Sequence, residues 1–128
     1  MTIAFWCVLL AIMLPYVCTY LAKFAGGGFG LRHNHDPRAF LDTLEGLPRR
    51  AYAAQLNSFE ILPGFAAAVI IAEMVGNAQT GTIDALAVLF ITTRVLYIIF
   101  YLADWATLRS LVWFIGLALM VSLFVISA

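Results

Sequence analysis

The sequence predicts an all-α membrane protein, a bundle of four transmembrane helices, and three observations carry that expectation. Of the 128 residues, 64% are hydrophobic and only 11% charged, too few polar groups to cover a soluble globule of this size. Four apolar runs, roughly 2–23, 49–75, 83–104 and 108–127, are each long enough to span about 30 Å of hydrocarbon as a helix. The chain is neutral overall, yet Lys23, Arg32, Arg38, Arg49, Arg50 and Arg109 all border one side of those runs. By the positive-inside tendency that side is cytoplasmic, with both termini and the uncharged GNAQTGT loop outside an inner, cytoplasmic membrane. The expectation is one domain over 1–128, multi-pass, with the lipid bilayer as its first partner and no nucleic acid.

The first run, MTIAFWCVLLAIMLPYVCTYLA, lacks a basic stretch ahead of it and is long for the apolar part of a cleaved signal, so it reads as a retained helix. Cys7 and Cys18 fall on a similar face of it. They stand about 16 Å apart along the axis, too far to bridge, and read as packing residues. Pro15 and Pro63 lie inside the first and second runs, where each removes a backbone hydrogen bond and predicts a kink. In the loop KFAGGGFGLRHNHDPRAF, glycines end the first helix, and Asp36-Pro37 caps and starts a short helix that ends near Gly46. Pro48 then occupies the first turn of the second long helix.

In that helix Gly64, Ala68, Ala72 and Gly76 recur every four residues, a small-residue stripe that continues the face of Glu60, so that close packing there, in an oligomer or against a neighbour in the chain, would bury Glu60. Trp6, Trp105 and Tyr20 fall near the membrane boundaries and read as interfacial anchors. Glu73 and Asp84 read as interfacial charges. His33, His35 and Asp36 have the donor chemistry of a metal site, but a solvated loop is the better reading and no metal is expected.

The strongest signal is Arg94, a permanent cation inside LAVLFITTRVLYIIFYLA. A guanidinium at mid-depth costs several kcal/mol unless it has a partner or a water-filled cavity. Glu60 and Arg94 both lie roughly 15 Å below the same membrane face, at ~1.5 Å per residue, so a direct pair is expected. Arg50, Asn57 and Glu60 share one stripe of the second helix, and Arg94, Tyr97 and Tyr101 share one of the third. Arg50 and Arg109 close the cytoplasmic end. Such a ladder could hold a small zwitterion, or it could be a buried ion pair that fixes helix register.

These residues resemble a known family, the membrane-associated proteins in eicosanoid and glutathione metabolism. The matching elements are AQLNSFEILPGF at 54–65, with its Asn-x-x-Glu-x-x-Pro order, RVLYIIFY at 94–101 and LRS at 108–110. The resemblance implies a homotrimer of four-helix subunits with glutathione as cosubstrate, bound between subunits near the cytoplasmic face. It implies that Asn57, Glu60, Arg94, Tyr97 and Tyr101 hold glutathione or shape its pocket. Arg109 is implied to sit near the sulfur, with Ser110 beside it, so that Arg109, Ser110 and Tyr101 carry the chemistry. A guanidinium beside a thiol favours the thiolate nucleophile, which would attack a hydrophobic small molecule dissolved in the bilayer or reduce a lipid hydroperoxide. The chain departs from the pattern at Ala53 and Gln55, where catalytic members usually carry an arginine and often a histidine. Arg50 is the candidate to stand in. The rival reading is a family-fold binding module or an accessory subunit packed against a membrane protein partner. A small transporter is weaker still, since no inverted repeat is visible.

Overall fold

The chain forms four long helices, each of a length and apolarity suited to crossing a membrane, in a computed structural model that describes residues 1–128. Helix α1 spans Ile3–Phe24, and a 3₁₀ turn at Leu31–His35 leads to the short α2, Pro37–Asp42. Then come α3 (Gly46–Val75), α4 (Thr80–Leu102) and α5 (Ala106–Val125). The four spans agree with the apolar runs to within three residues. Helices α3 and α4 each begin three residues earlier than expected, taking in Gly46, Leu47 and Pro48 in one and Thr80, Gly81 and Thr82 in the other, ahead of the charged or apolar stretch that marked each run.

The long helices run antiparallel in sequence order, which gathers the loops at two ends. At one end Leu41 of α2 packs on Ala22, Ala51 and Tyr52, with Leu102 beside them, so the first loop and the α4–α5 turn share that end. At the other end Thr2 Oγ1 donates to Glu73 Oε1 at 2.7 Å and Asn77 Nδ2 donates to the Ser127 carbonyl at 3.3 Å. The side chain of Thr2 makes no cap bond to its own helix. Instead Asp84 Oδ1 accepts from Ala4 N at 2.7 Å, so a carboxylate on α4 satisfies a free donor at the positive end of α1.

The core is built from small and aromatic side chains. Phe65 and Phe90 stack at 3.9 Å between centroids among Ala4, Cys7, Ala11, Ala68, Ala72, Ala87 and Leu123. Helices α4 and α5 approach so closely that a Cβ at Gly116 would stand 2.8 Å from Thr93 Oγ1. Both cysteines are free and buried.

The turn between α4 and α5 closes by a Schellman pattern. Asp104 takes a left-handed φ of 62°, its N–H donates to Tyr101 O at 3.2 Å and the Trp105 N–H donates to Phe100 O at 2.8 Å. Trp105 also packs on Phe100, with ring centroids 5.7 Å apart, the apolar contact that accompanies this cap.

Pro15 and Pro63 both lie inside continuous helices, α1 and α3. Two expectations are corrected. Helix α2 ends at Asp42 rather than near Gly46, because Thr43 N and Leu44 N close tight turns onto Phe40 O and Leu41 O, and Gly46 then reverses the chain at φ +60°. Packing of the small-residue stripe against the chain's own helices does not bury Glu60. Four residues turn about 400°, so each step drifts ~40°, carrying Ala68 and Ala72 into the core while Glu60 stays exposed.

The cross-helix cap yields a test. Asp84→Ala is expected to lower unfolding stability in detergent by about 1–2 kcal/mol, and Asp84→Asn, which keeps an acceptor, by distinctly less. Equal losses in the two variants would remove the cap from the account.

Candidate functional site

Arg94 points into the bundle and is only 3% exposed. Its Nη2 donates to Asn57 Oδ1 at 2.9 Å and to Ser58 Oγ at 3.4 Å. Ser58 in turn donates to the Ala54 carbonyl at 2.8 Å. Asn57 Nδ2 donates to Glu60 Oε2 at 3.3 Å. The expected direct pair between Glu60 and Arg94 is therefore corrected: the amide of Asn57 stands between the two charges. The reason is the helical wheel of α3, on which Ser58 and Glu60 lie about 160° apart with Asn57 between them.

The guanidinium is also stacked. Its carbon lies 4.2 Å from the centroid of the Tyr97 ring, Tyr97 meets Tyr101 edge-on at 5.6 Å, and Arg109 lies 4.3 Å over Tyr101. A cation held over a desolvated ring gains about 2 kcal/mol. Four side chains thus form a continuous Arg–Tyr–Tyr–Arg column from the interior of the bundle to the loop end of α5.

Two cavities open beside this column. One of about 230 Å³ is lined by Tyr97, Tyr101, Arg109, Ser110, Trp113 and Phe114. The other, of about 220 Å³, is lined by Asn57, Glu60, Ile61, Gly64, Trp113, Leu117 and Met120. The first has a cation and a hydroxyl at its wall, the chemistry that holds an anion. The second has a carboxylate and an amide at one end and an apolar floor at the other.

Of the residues singled out by sequence, Tyr97, Tyr101, Arg109 and Ser110 meet at one cavity and Asn57 and Glu60 at the other. Arg94 lies behind both, reached through Asn57 and Tyr97. Arg50 is not brought to either cavity: its Nε donates to the Leu102 carbonyl at 3.1 Å, a cation at the negative end of α4. Ala53 is half-buried, four residues before Asn57 on the same stripe. Gln55 lies on the opposite side of the helix, and its buried Oε1 has no hydrogen-bond partner. His33 is turned to its own loop, where Nδ1 accepts from Gly30 N at 3.0 Å and the ring lies 4.4 Å from that of Phe40.

Sequence reasoning missed Ser58 and Trp113. Ser58 carried a usable signal, since a serine amid the apolar residues that face α4 needs an acceptor. Trp113 carried a plainer one: it follows Arg109 by four residues and so shares its face.

Four antiparallel helices of membrane-spanning length, with polar side chains gathered between them, define a multi-pass integral membrane protein. The chain belongs to the MAPEG family, whose profile matches residues 3–128. No curated protein and no solved structure matches the chain.

The hydrogen-bond order makes a prediction about coupling. In double-mutant cycles read by unfolding in detergent, Arg94→Leu and Asn57→Leu are expected to couple by about 1.5–3 kcal/mol, as a charged hydrogen bond does. Arg94→Leu and Glu60→Leu are expected to couple by less than about 1 kcal/mol, through the intervening amide. Stronger coupling to Glu60 than to Asn57 would restore the direct pair.

Proposed function

We propose that this chain is a glutathione-dependent transferase or peroxidase that acts on hydrophobic electrophiles delivered through the bilayer. The observation that carries the reading is the convergence of Arg109, Ser110 and Tyr101 on one 230 Å³ cavity, with the guanidinium already seated over the tyrosine ring. Glutathione offers two carboxylates, an ammonium and a thiol, and the residues present match those groups in kind. Arg109 supplies a cation for an anionic group, Ser110 a donor beside it, and Glu60, held by the Asn57 amide, an acceptor for an ammonium. When bound, glutathione supplies the sulfur nucleophile. Arg109 favours loss of the thiol proton by attraction to the resulting anion, and Ser110 adds a neutral hydrogen bond of smaller effect. Tyr101 holds the guanidinium in place from below.

Each cavity is smaller than the ~300 Å³ at which ligand pockets begin, which favours a site completed by a second copy. Glu60 points the same way. It is exposed on the side of the subunit at a level where lipid would otherwise meet a carboxylate, an arrangement too unfavourable to stand uncovered. A homotrimer with the ligand between subunits, as the family resemblance implies, would cover it. The mouth belongs in the cytoplasm, with both termini on the far side of an inner membrane, because the basic residues cluster at the loop end.

The second reading is a binding module or an accessory subunit, and one observation favours it. Ala53 leaves the Asn57–Glu60 stripe without a cation, and Arg50, which was to stand in, is bonded to Leu102 O.

Wild-type protein is expected to develop a thiolate ultraviolet absorbance when glutathione is added. Arg109→Ala should lose that signal with its helix content intact, and Ser110→Ala should weaken it. Absence of both thiolate formation and conjugation of a reactive aryl halide by the wild type would sink the enzyme reading in favour of the second one. Orientation has its own check: a cysteine at Gln79 is expected to react with an impermeant thiol reagent on intact cells while one at Asn34 does not. The opposite pattern would place the mouth outside.

A further inference from the structure

The first loop is built more elaborately than a connection requires. Its aromatic rings form a chain that starts on the outer flank of α1, where Tyr20 and Phe24 are exposed and their centroids lie 4.9 Å apart. Phe24 meets Phe29 at 6.0 Å, Phe29 meets Phe40 edge-on at 5.3 Å, and His33 lies against Phe40. Lys23 Nζ sits 4.4 Å over the Phe29 ring. This chain ties the 3₁₀ turn to the flank of α1, at the rim of the bundle, while α2 packs through Leu41 over the bundle end. The side of α1 that carries Tyr16, Val17, Tyr20 and Phe24 is exposed, so the rim faces the surroundings of the protein rather than its own core.

At the tip of the turn Leu31 is 92% exposed, the most exposed large apolar side chain in the protein. Single exposed leucines are common, and what distinguishes this one is its setting. Here it is flanked by charge. Arg32 follows it directly, Arg38 lies in the first turn of α2 and both are exposed, with Lys23 at the base of the turn. The loop's carboxylates are Asp36, Asp42 and Glu45, and that of Asp36 is engaged in capping, accepting from Ala39 N at 3.1 Å. An exposed apolar side chain with Arg32 next to it in sequence, between Lys23 at the end of α1 and Arg38 at the start of α2, complements a negatively charged lipid surface where a membrane helix leaves the hydrocarbon.

We infer that the 3₁₀ turn at Leu31–His35 is a docking element for anionic phospholipid, with Leu31 dipping among the headgroups and Lys23, Arg32 and Arg38 meeting the phosphates. The aromatic chain from Tyr20 to Phe40 holds the tip at that depth. This surface is separate from the two cavities and does not depend on what they bind.

The test uses the full chain in nanodiscs, where both faces are accessible, with a fluorophore on a cysteine at Asn34; Cys7 and Cys18 are buried and do not compete. Quenching by acrylamide, which is neutral, is compared between phosphatidylcholine alone and phosphatidylcholine with about 30% phosphatidylglycerol. The expected result is a fall in quenching of about threefold with the anionic lipid, reversed near 1 M salt, where the screening length is only ~3 Å. Arg32→Gln combined with Arg38→Gln should abolish the lipid dependence, and Leu31→Ser, which leaves every charge in place, should reduce it. All these positions are exposed, so the bundle is expected to survive, with circular dichroism as the check. Equal quenching of the wild type in the two lipids would overturn the inference. So would a lipid dependence that survives either the paired arginine change or Leu31→Ser.

Discussion

A guanidinium placed among the apolar residues of α4 has to be satisfied from inside the bundle, and the arrangement of α3, α4 and α5 follows from how that is done. The partners of Arg94 are neutral oxygens, Asn57 Oδ1 and Ser58 Oγ, together with the face of Tyr97. A direct carboxylate partner would have placed a second ion inside the bundle, and the cost of burying two ions can exceed their mutual attraction. Dipoles and a ring quadrupole spread the stabilisation over several groups at less expense. The same contacts fix the register of α3 against α4, since Asn57 and Ser58 must sit at the level of Arg94. Arg50 on Leu102 O repeats that register two turns nearer the loop.

Because Arg94 is satisfied without Glu60, the carboxylate is left with one hydrogen bond from Asn57 and open space beyond it. The bundle is therefore polar on its α3/α5 side at a depth where the opposite side is not. Between α1 and α4 a groove of about 300 Å³ is lined by Cys7, Leu10, Val88, Ile91, Thr92, Val95 and Leu96, almost wholly apolar. The two flanks of the bundle therefore differ in the polarity of what they can accommodate.

The spans were legible because hydrocarbon thickness dictates run length, and apolar runs of the right length are hard to produce by chance in a water-soluble chain. Their ends were less so. Caps come from groups distant in sequence, such as Asp84 on Ala4 N, and no local pattern announces them. At the site, residue types and depths were legible, and Asn57, Glu60, Tyr97, Tyr101, Arg109 and Ser110 do line the cavities. Azimuth was not. Treating four-residue spacing as a straight stripe placed Ala68 and Ala72 on the face of Glu60, and treating equal depth as contact paired Glu60 with Arg94. Both errors come from neglecting the same rotation about the helix axis.

That rotation also explains the column that joins the two cavities. Arg94, Tyr97 and Tyr101 follow one another at three and four residues, so their side chains stay on one face of α4 and climb it by about a turn at each step. Arg109 enters from α5, after a turn that Asp104 holds at positive φ. Two cations in one low-dielectric stack would repel if brought together, and here two aromatic faces separate them. Each ring stabilises the cation nearest it, and the edge-on meeting of Tyr97 with Tyr101 sets the rings' relative tilt. The exposed cation thus rests on the same buried register that holds α3 on α4: Arg109 lies over Tyr101, Tyr101 meets Tyr97, and Tyr97 faces Arg94, which Asn57 anchors.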